Sequence, residues 1–305
     1  VYQSDLTATT GRIRRFAGGL WPGGSAMMID CHTHIFPADI RVARQDYCAA
    51  ETEFGLLYRS PKSKMVGAKE LVATMDREGV DKAVVFGFPW KSADTFRHHN
   101  DYIIAAVEQF PERLIGFGCF DPCHPQAANE ALRCIGRGLC GIGELAFYQC
   151  GIDAAALDHL APVMRLCRDR HLPVLIHTNE PVGHRYPGKS PNTLLQIYEL
   201  IRRFPENVII LGHWGGGIFF YNLLKKEVAD SLENVYYDTA ASPYLYDIRI
   251  YAFAAQLTGV DKILFGSDYP LLPPSRYLQE FAAAGLSQSD IEQIKGGNAA
   301  RLLGL

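Results

Sequence analysis

From Met28 onward, short apolar and β-branched runs alternate with longer segments whose apolar residues recur at helical spacing. Runs of strand type lie at about 28–33, 82–88, 114–119, 140–145, 173–178, 207–212, 234–239 and 262–267. Helical segments lie between them, at about 67–78, 95–109, 124–137, 154–171, 191–203, 218–231, 244–258 and 288–303. Several helix stops are legible. Gly79 follows Asp76-Arg-Glu78, Pro111 follows Glu108-Gln-Phe110, Pro205 ends Ile201-Arg-Arg-Phe204, and Gly259 ends Ala254-Ala-Gln-Leu-Thr258.

Strands that are apolar almost throughout, each followed by a helix, imply an all-parallel sheet covered by helices. Eight such units close into a (β/α)8 TIM barrel of the α/β class, read here as a single domain. An open doubly wound sheet usually carries a Gly-rich phosphate loop after its first strand. Here that position reads His32-Thr-His-Ile-Phe-Pro37, with no GxGxxG. No Pro/Gly/Ser linker interrupts 28–305, and the main insertion is Ile35–Val66, after the first strand.

Residues 1–26 depart from this pattern. They are rich in Gly, Thr and Arg and lack the apolar core of a secretory signal. Met27-Met28 stands just before the first strand. Residues 1–27 are therefore expected to be an N-terminal extension, non-native or disordered, with the barrel at 28–305. A short arm covering one barrel end or a partner subunit is the alternative.

The 305 residues are 48% apolar and 21% charged, as in a globular protein with a large core. A net charge of −3 leaves no electrostatic footprint for nucleic acid. No apolar stretch approaches the roughly 20 residues of a membrane span. The eight cysteines include no CxxC pair, which argues against a cysteine zinc site and for reduced thiols in a cytoplasmic protein. A small-molecule substrate is expected, and a homodimer is compatible with the chain.

The chemistry gathers at the strand ends. The first run closes in Met28-Ile-Asp-Cys-His-Thr-His34. Alternate residues of a strand share a face, so His32 and His34 would point together, their Cα atoms roughly 6.6–6.8 Å apart. Two imidazoles so placed can grip a metal ion. The fourth run ends in Glu144, the fifth in His177, the sixth in His213 and the eighth in Asp268. Parallel barrels carry their active sites at these C-terminal ends, and closure brings the eighth strand beside the first. Taken singly, each residue has a structural reading: a core histidine, a turn cap, a buried ion pair. Their coincidence at one end of a barrel is the stronger signal.

The motifs Ile29-Asp-Cys-His-Thr-His34, Gly212-His-Trp-Gly-Gly-Gly217, Leu264-Phe-Gly-Ser-Asp-Tyr-Pro270 and Gly297-Asn-Ala-Ala-Arg-Leu-Leu303 resemble those of the amidohydrolase superfamily. The resemblance covers essentially all of 28–305. It is strongest to the amidohydrolase-2 branch, which holds aminocarboxymuconate-semialdehyde decarboxylase, related aromatic-acid decarboxylases and several hydrolases. It implies His32, His34, His177 and Asp268 as ligands of a divalent metal, usually zinc. It implies His213 as a catalytic residue or a ligand of a second ion. Glu144 matches the bridging carboxylate of binuclear members and departs from the decarboxylases, which generally lack a ligand there. It is expected to bind metal, with a role orienting a ligand histidine as the alternative.

Three imidazoles and a carboxylate suit zinc, as one ion or two, with a position open for water. A metal-bound water is acidic enough to give hydroxide at neutral pH. Asp268 could move its proton, and His213 could bond an oxygen as charge develops. His184, Arg185, Trp214 and Tyr269 are candidates for substrate binding, with Arg41, Arg44, Arg59, Tyr47 and Tyr58 of the long first loop also in reach. His98, His99 and His159 read as uninvolved. Glu144 tilts the expectation to a metal-dependent hydrolase of an amide, ester or lactone in a small acidic substrate. The alternative is a lyase, a non-oxidative decarboxylase or hydratase of an unsaturated or aromatic carboxylic acid.

Overall fold

The computed structural model describes residues 27–149 and 151–305. The expected extension, Met27 apart, lies outside the described residues. Eight strands form one parallel sheet in sequence order: β1 (Ile29–His34), β2 (Lys82–Phe86), β3 (Leu114–Gly118), β4 (Gly141–Leu145), β5 (Val174–Ile176), β6 (Ile209–Leu211), β7 (Val235–Asp238) and β8 (Ile263–Leu264). The first and last strands meet through the backbone. Cys31 N donates to Phe265 O at 2.8 Å, Asp268 N to His32 O at 2.9 Å, and His34 N to Tyr269 O at 2.8 Å. The fold is a single-domain (β/α)8 barrel.

Apolar burial divides into two layers. One cluster fills the barrel with Ile29, Cys31, Val84, Phe86, Phe117 and Leu175, among others, and partly buried Met27 and Leu303 pack against it. A larger cluster lies between the strands and the surrounding helices, from Val85 and Ile142 to Leu160 and Ile201. Each fully buried Val, Leu, Ile or Phe contributes about 1.5–3 kcal/mol, so these layers set the shape on which the mouth of the barrel is built.

The helical segments are more broken than their periodicity predicts. The segment expected at about 218–231 is two pieces, His213–Leu223 and Lys226–Ser231. It opens earlier because Trp214, Gly215, Gly216 and Gly217 all lie in the left-handed region, at φ 61°, 62°, 62° and 88°. Glycine adopts that region freely, which accounts for three of them in a row. The segment at about 244–258 splits into Ser242–Leu245 and Ile250–Thr258. A helix at Pro274–Ala283 was not expected, and the insertion folds into three short helices, Ala38–Val42, Arg44–Ala50 and Thr52–Tyr58. Among the described residues no helix is long and apolar enough to cross a membrane.

Candidate functional site

Strict alternation along β1 would send Cys31 and His32 to opposite faces. The register of β1 on β2 shifts between Asp30 and Thr33. As a result Cys31 fills the barrel interior while the rings of His32 and His34 also meet interior Phe86, at 5.2 and 4.8 Å between centroids. β4 breaks register too, between Ile142 and Leu145. Gly143 there has φ 138°, and a side chain on it would run into the Leu175 carbonyl. Glycine is what lets β4 present Glu144 to the barrel mouth.

Four imidazoles share one arrangement. His32 Nδ1 donates to Asp238 Oδ2 at 2.7 Å, and His34 Nδ1 to Gly87 O at 3.2 Å. His177 Nε2 donates to Gly188 O at 3.0 Å, and His213 Nδ1 to Ala240 O at 3.0 Å. The other nitrogen of each ring faces a shared pair of carboxylates. Glu144 Oε1 lies 2.8 Å from His177 Nδ1 and 3.4 Å from His213 Nε2. Its Oε2 lies 3.5 Å from His32 Nε2 and 3.7 Å from His34 Nε2. Asp268 Oδ1 is 3.4 Å from His34 Nε2 and 3.8 Å from His32 Nε2.

Committing the outer nitrogen as donor leaves a lone pair on the inner one, which is how histidine ligands are set for a metal. His32 Nε2 is buried and has no hydrogen-bond partner among the described residues. It belongs to two donor sets, one with His34 and Asp268 and one with Glu144 and His213, and within each set the ligand atoms lie within 4.8 Å of one another. Imidazoles and carboxylates so converged fit a divalent cation. The electrostatics agree. Burial alone would raise the Glu144 carboxyl, but His32 and His177 hold it well below the usual range. Burial likewise opposes ionisation of Asp268, and its bond to His34 with the charges of His32 and His213 hold it low. His213 is opposed by burial and raised by Glu144 and Asp268.

Asp238, at the end of β7, was missed in the sequence. Its Oδ1 accepts from His213 N at 2.8 Å and Ala240 N at 3.1 Å while Oδ2 holds His32. The signal was present, since Val235-Tyr-Tyr-Asp238 also ends a strand in a ligand-type residue. His99 is not idle either. It is buried, takes the Trp90 Nε1 proton at 2.8 Å and donates to Ile35 O at 2.7 Å, with its ring packed behind Gly87. It therefore backs the carbonyl that orients His34. His177 joins neither donor set and instead bridges Glu144 and Gly188.

The four residues expected to bind substrate are placed differently from one another. Trp214 is fully buried, gives its Nε1 proton to Ser242 Oγ at 2.5 Å and packs on Phe219 and Tyr251. Its left-handed backbone turns it from the mouth into the outer layer. Tyr269 shares its hydroxyl with Thr74 Oγ1 at 2.9 Å, on the helix after the insertion. His184 and Arg185 are exposed on the loop after β5.

Residues 29–305 match the model of the family described as amidohydrolase. The chain belongs to that family. Among this amidohydrolase's relatives is a gamma-resorcylate decarboxylase of Polaromonas sp., 23% identical over 255 residues, 70% of this chain and 78% of the relative. The solved 5-carboxyvanillate decarboxylase of Sphingomonas paucimobilis superposes with a TM-score of 0.71 at 20% identity, covering 92% of this chain and 100% of that one. A dihydroxybenzoic acid decarboxylase of Polaromonas sp., solved with manganese and 2-nitroresorcinol, gives 0.68 at 20% identity, covering 92% and 97%. These relatives are decarboxylases, and they overturn the expectation of a hydrolase acting on an amide, ester or lactone. Glu144 alone had tilted the reading to hydrolysis, and a metal held by the other donors serves either reaction. Membership of the amidohydrolase family carries the barrel and its mouth, not the cleavage of an amide.

Glu144 sits where it touches all four imidazoles, so Glu144→Gln separates two roles. As a ligand, its loss should lower bound metal and remove most activity. As an orienting group for His177, it should leave stoichiometry intact and weaken affinity by about 10–100-fold. Metal titration of the purified variant reads the difference, and unchanged content, affinity and rate would exclude both.

Proposed function

We propose that this amidohydrolase is a metal-dependent, non-oxidative decarboxylase of a small aromatic acid bearing a hydroxyl beside its carboxylate. The observation that carries the reading is the ring of four anchored imidazoles around Glu144 and Asp268, in a chain similar over nine-tenths of its length to aromatic-acid decarboxylases. His32, His34, Glu144 and Asp268 would hold the ion, with His177 Nδ1 and His213 Nε2 beside them. The imidazole-rich set suits zinc, the carboxylates suit manganese, and manganese is the ion in the Polaromonas structure. When bound, the ion supplies positive charge for the substrate's oxygens.

The remaining work is proton movement. Decarboxylation forms a C–H bond at the carbon that loses its carboxylate. The electron pair of the breaking C–C bond returns to the ring, and carbon dioxide leaves. Asp268, kept ionised by the histidines around it, takes a proton from the neighbouring hydroxyl and delivers it to that carbon. His213, whose Nε2 lies 3.4 Å from Glu144 Oε1, would bond a substrate oxygen and hold the ring for the transfer.

The test is release of carbon dioxide from a panel of hydroxybenzoates, including 2,6-dihydroxybenzoate, 5-carboxyvanillate and 2-hydroxybenzoate, by protein loaded with zinc or manganese. At least one acid should be converted to its phenol. Chelation should stop the reaction and metal should restore it. A fully loaded protein inert towards the whole panel would refute the proposal.

A further inference from the structure

An anionic substrate calls for something to bind its carboxylate besides the metal, and arginine is the usual choice. Arg185 is exposed on the loop after β5, and the other cations near the mouth are engaged elsewhere. Arg41 pairs with Glu70 at 2.8 Å. Arg44 and Arg59 donate to the Ser60 and Cys48 carbonyls, each at 3.1 Å. Lys189 is held by Glu180 at 2.7 Å and by the Val182 carbonyl at 3.1 Å.

Two tyrosines are free instead. The hydroxyls of Tyr58, at the end of the insertion, and Tyr148, after β4, have no hydrogen-bond partner among the described residues. Their neighbours do. Tyr186 gives its hydroxyl to Glu180 at 2.8 Å, and Tyr246 to the His213 carbonyl at 3.1 Å. The Tyr148 ring lies 5.5 Å from His177. Phe88 neighbours both phenols, 6.1 Å from Tyr58 and 6.2 Å from Tyr148, the latter nearly parallel at 10°. Both phenols feel the Glu144 and Asp268 carboxylates, and burial first and then those charges push both well up. They are therefore donors at neutral pH.

We propose that Tyr58 and Tyr148 bind the substrate's carboxylate as neutral hydroxyl donors, with the Phe88 ring packed on both. This rests on the decarboxylase reading. It also suits the chemistry. The carboxylate becomes uncharged carbon dioxide, so a strong ion pair to arginine would stabilise the acid and be lost on the way to the transition state. Neutral donors hold the group in place with less to lose.

The test compares 2-hydroxybenzoate with phenol by calorimetric titration of metal-loaded protein, in wild type, Tyr58→Phe, Tyr148→Phe and the double variant. Wild type should favour the acid by at least about ten-fold. Each single variant should weaken the acid by about ten-fold, the effect of losing one hydrogen bond to a charged group, and leave phenol within about two-fold. Metal content and melting temperature should not change. Unaltered affinity for the acid in both single variants, equal losses for acid and phenol, or a wild type indifferent to the carboxylate would each overturn the proposal. Wild type that shows the preference and its loss but releases no carbon dioxide from the hydroxybenzoate panel would sink the decarboxylase reading and leave this one standing.

Discussion

Asp268→Asn is expected to keep its metal and lose about 10²–10⁴-fold in turnover, the range for removing a general acid–base group. Asn keeps the shape and one acceptor oxygen but cannot carry a proton. The backbone that places it is unaffected, since Asp268 N still reaches the His32 carbonyl at 2.9 Å. The residue sits at φ 59°, in the left-handed region, where Asn is among the residues best tolerated. The loss should appear in kcat at saturating substrate, with KM little changed. It should persist at saturating metal, which separates proton transfer from weaker metal binding. Near-normal kcat in the loaded variant would remove Asp268 from the proton path and pass the role to His213.

His32→Ala should abolish both bound metal and activity. Its Nε2 is the atom common to both donor sets, so one substitution breaks each. The barrel should still fold. Closure at this point uses the His32 backbone carbonyl, and the ring meets the interior cluster at Phe86 without belonging to it. Asp238 loses one partner but keeps its bonds to the His213 and Ala240 amides. Far-UV circular dichroism should match wild type, while metal analysis falls to background. His177→Ala is the contrast, because His177 lies in neither donor set. Its loss should weaken metal affinity more than it lowers the metal held at saturation. Undiminished metal in His32→Ala would refute the site itself.

The barrel was readable because buried parallel strands are apolar on both faces, so each of the eight stands out between amphipathic helices. The short helices of the insertion were not. Arg44–Ala50 and Thr52–Tyr58 have no room for a clear period, and they are held by tertiary packing, as where Phe54 and Tyr58 meet Phe36 and Phe88. The helix at Pro274–Ala283 was hidden by the prolines at 270, 273 and 274, although proline at a first helical turn is a start signal. At the site, strand ends located the histidines and carboxylates. Side-chain direction could not be read the same way. Trp214 adjoins His213 in sequence, yet the left-handed turn they share sends one ring inward to the mouth and the other into the outer layer. The pairings that anchor each imidazole from behind, such as Asp238 on His32, join strands far apart in the chain and leave no local trace. The choice of hydrolase over lyase rested on Glu144 alone, since the other donors serve both reactions, and the relatives overturned it.

The seam between β1 and the chain after β8 also bears on how the molecule folds. Asp30 Oδ1 accepts from Ser267 N at 2.9 Å across a separation of 237 residues. Contacts of such range carry the greatest loop-closure entropy and slow folding most. The donors of the metal set straddle that same seam, His32 and His34 on one side and Asp268 on the other. A partly folded chain with the seam open holds only fragments of the site. An ion that binds the finished set and not the fragments favours the closed barrel by mass action. An ion held by these donors would therefore also clasp a contact between the two ends of the barrel's chain.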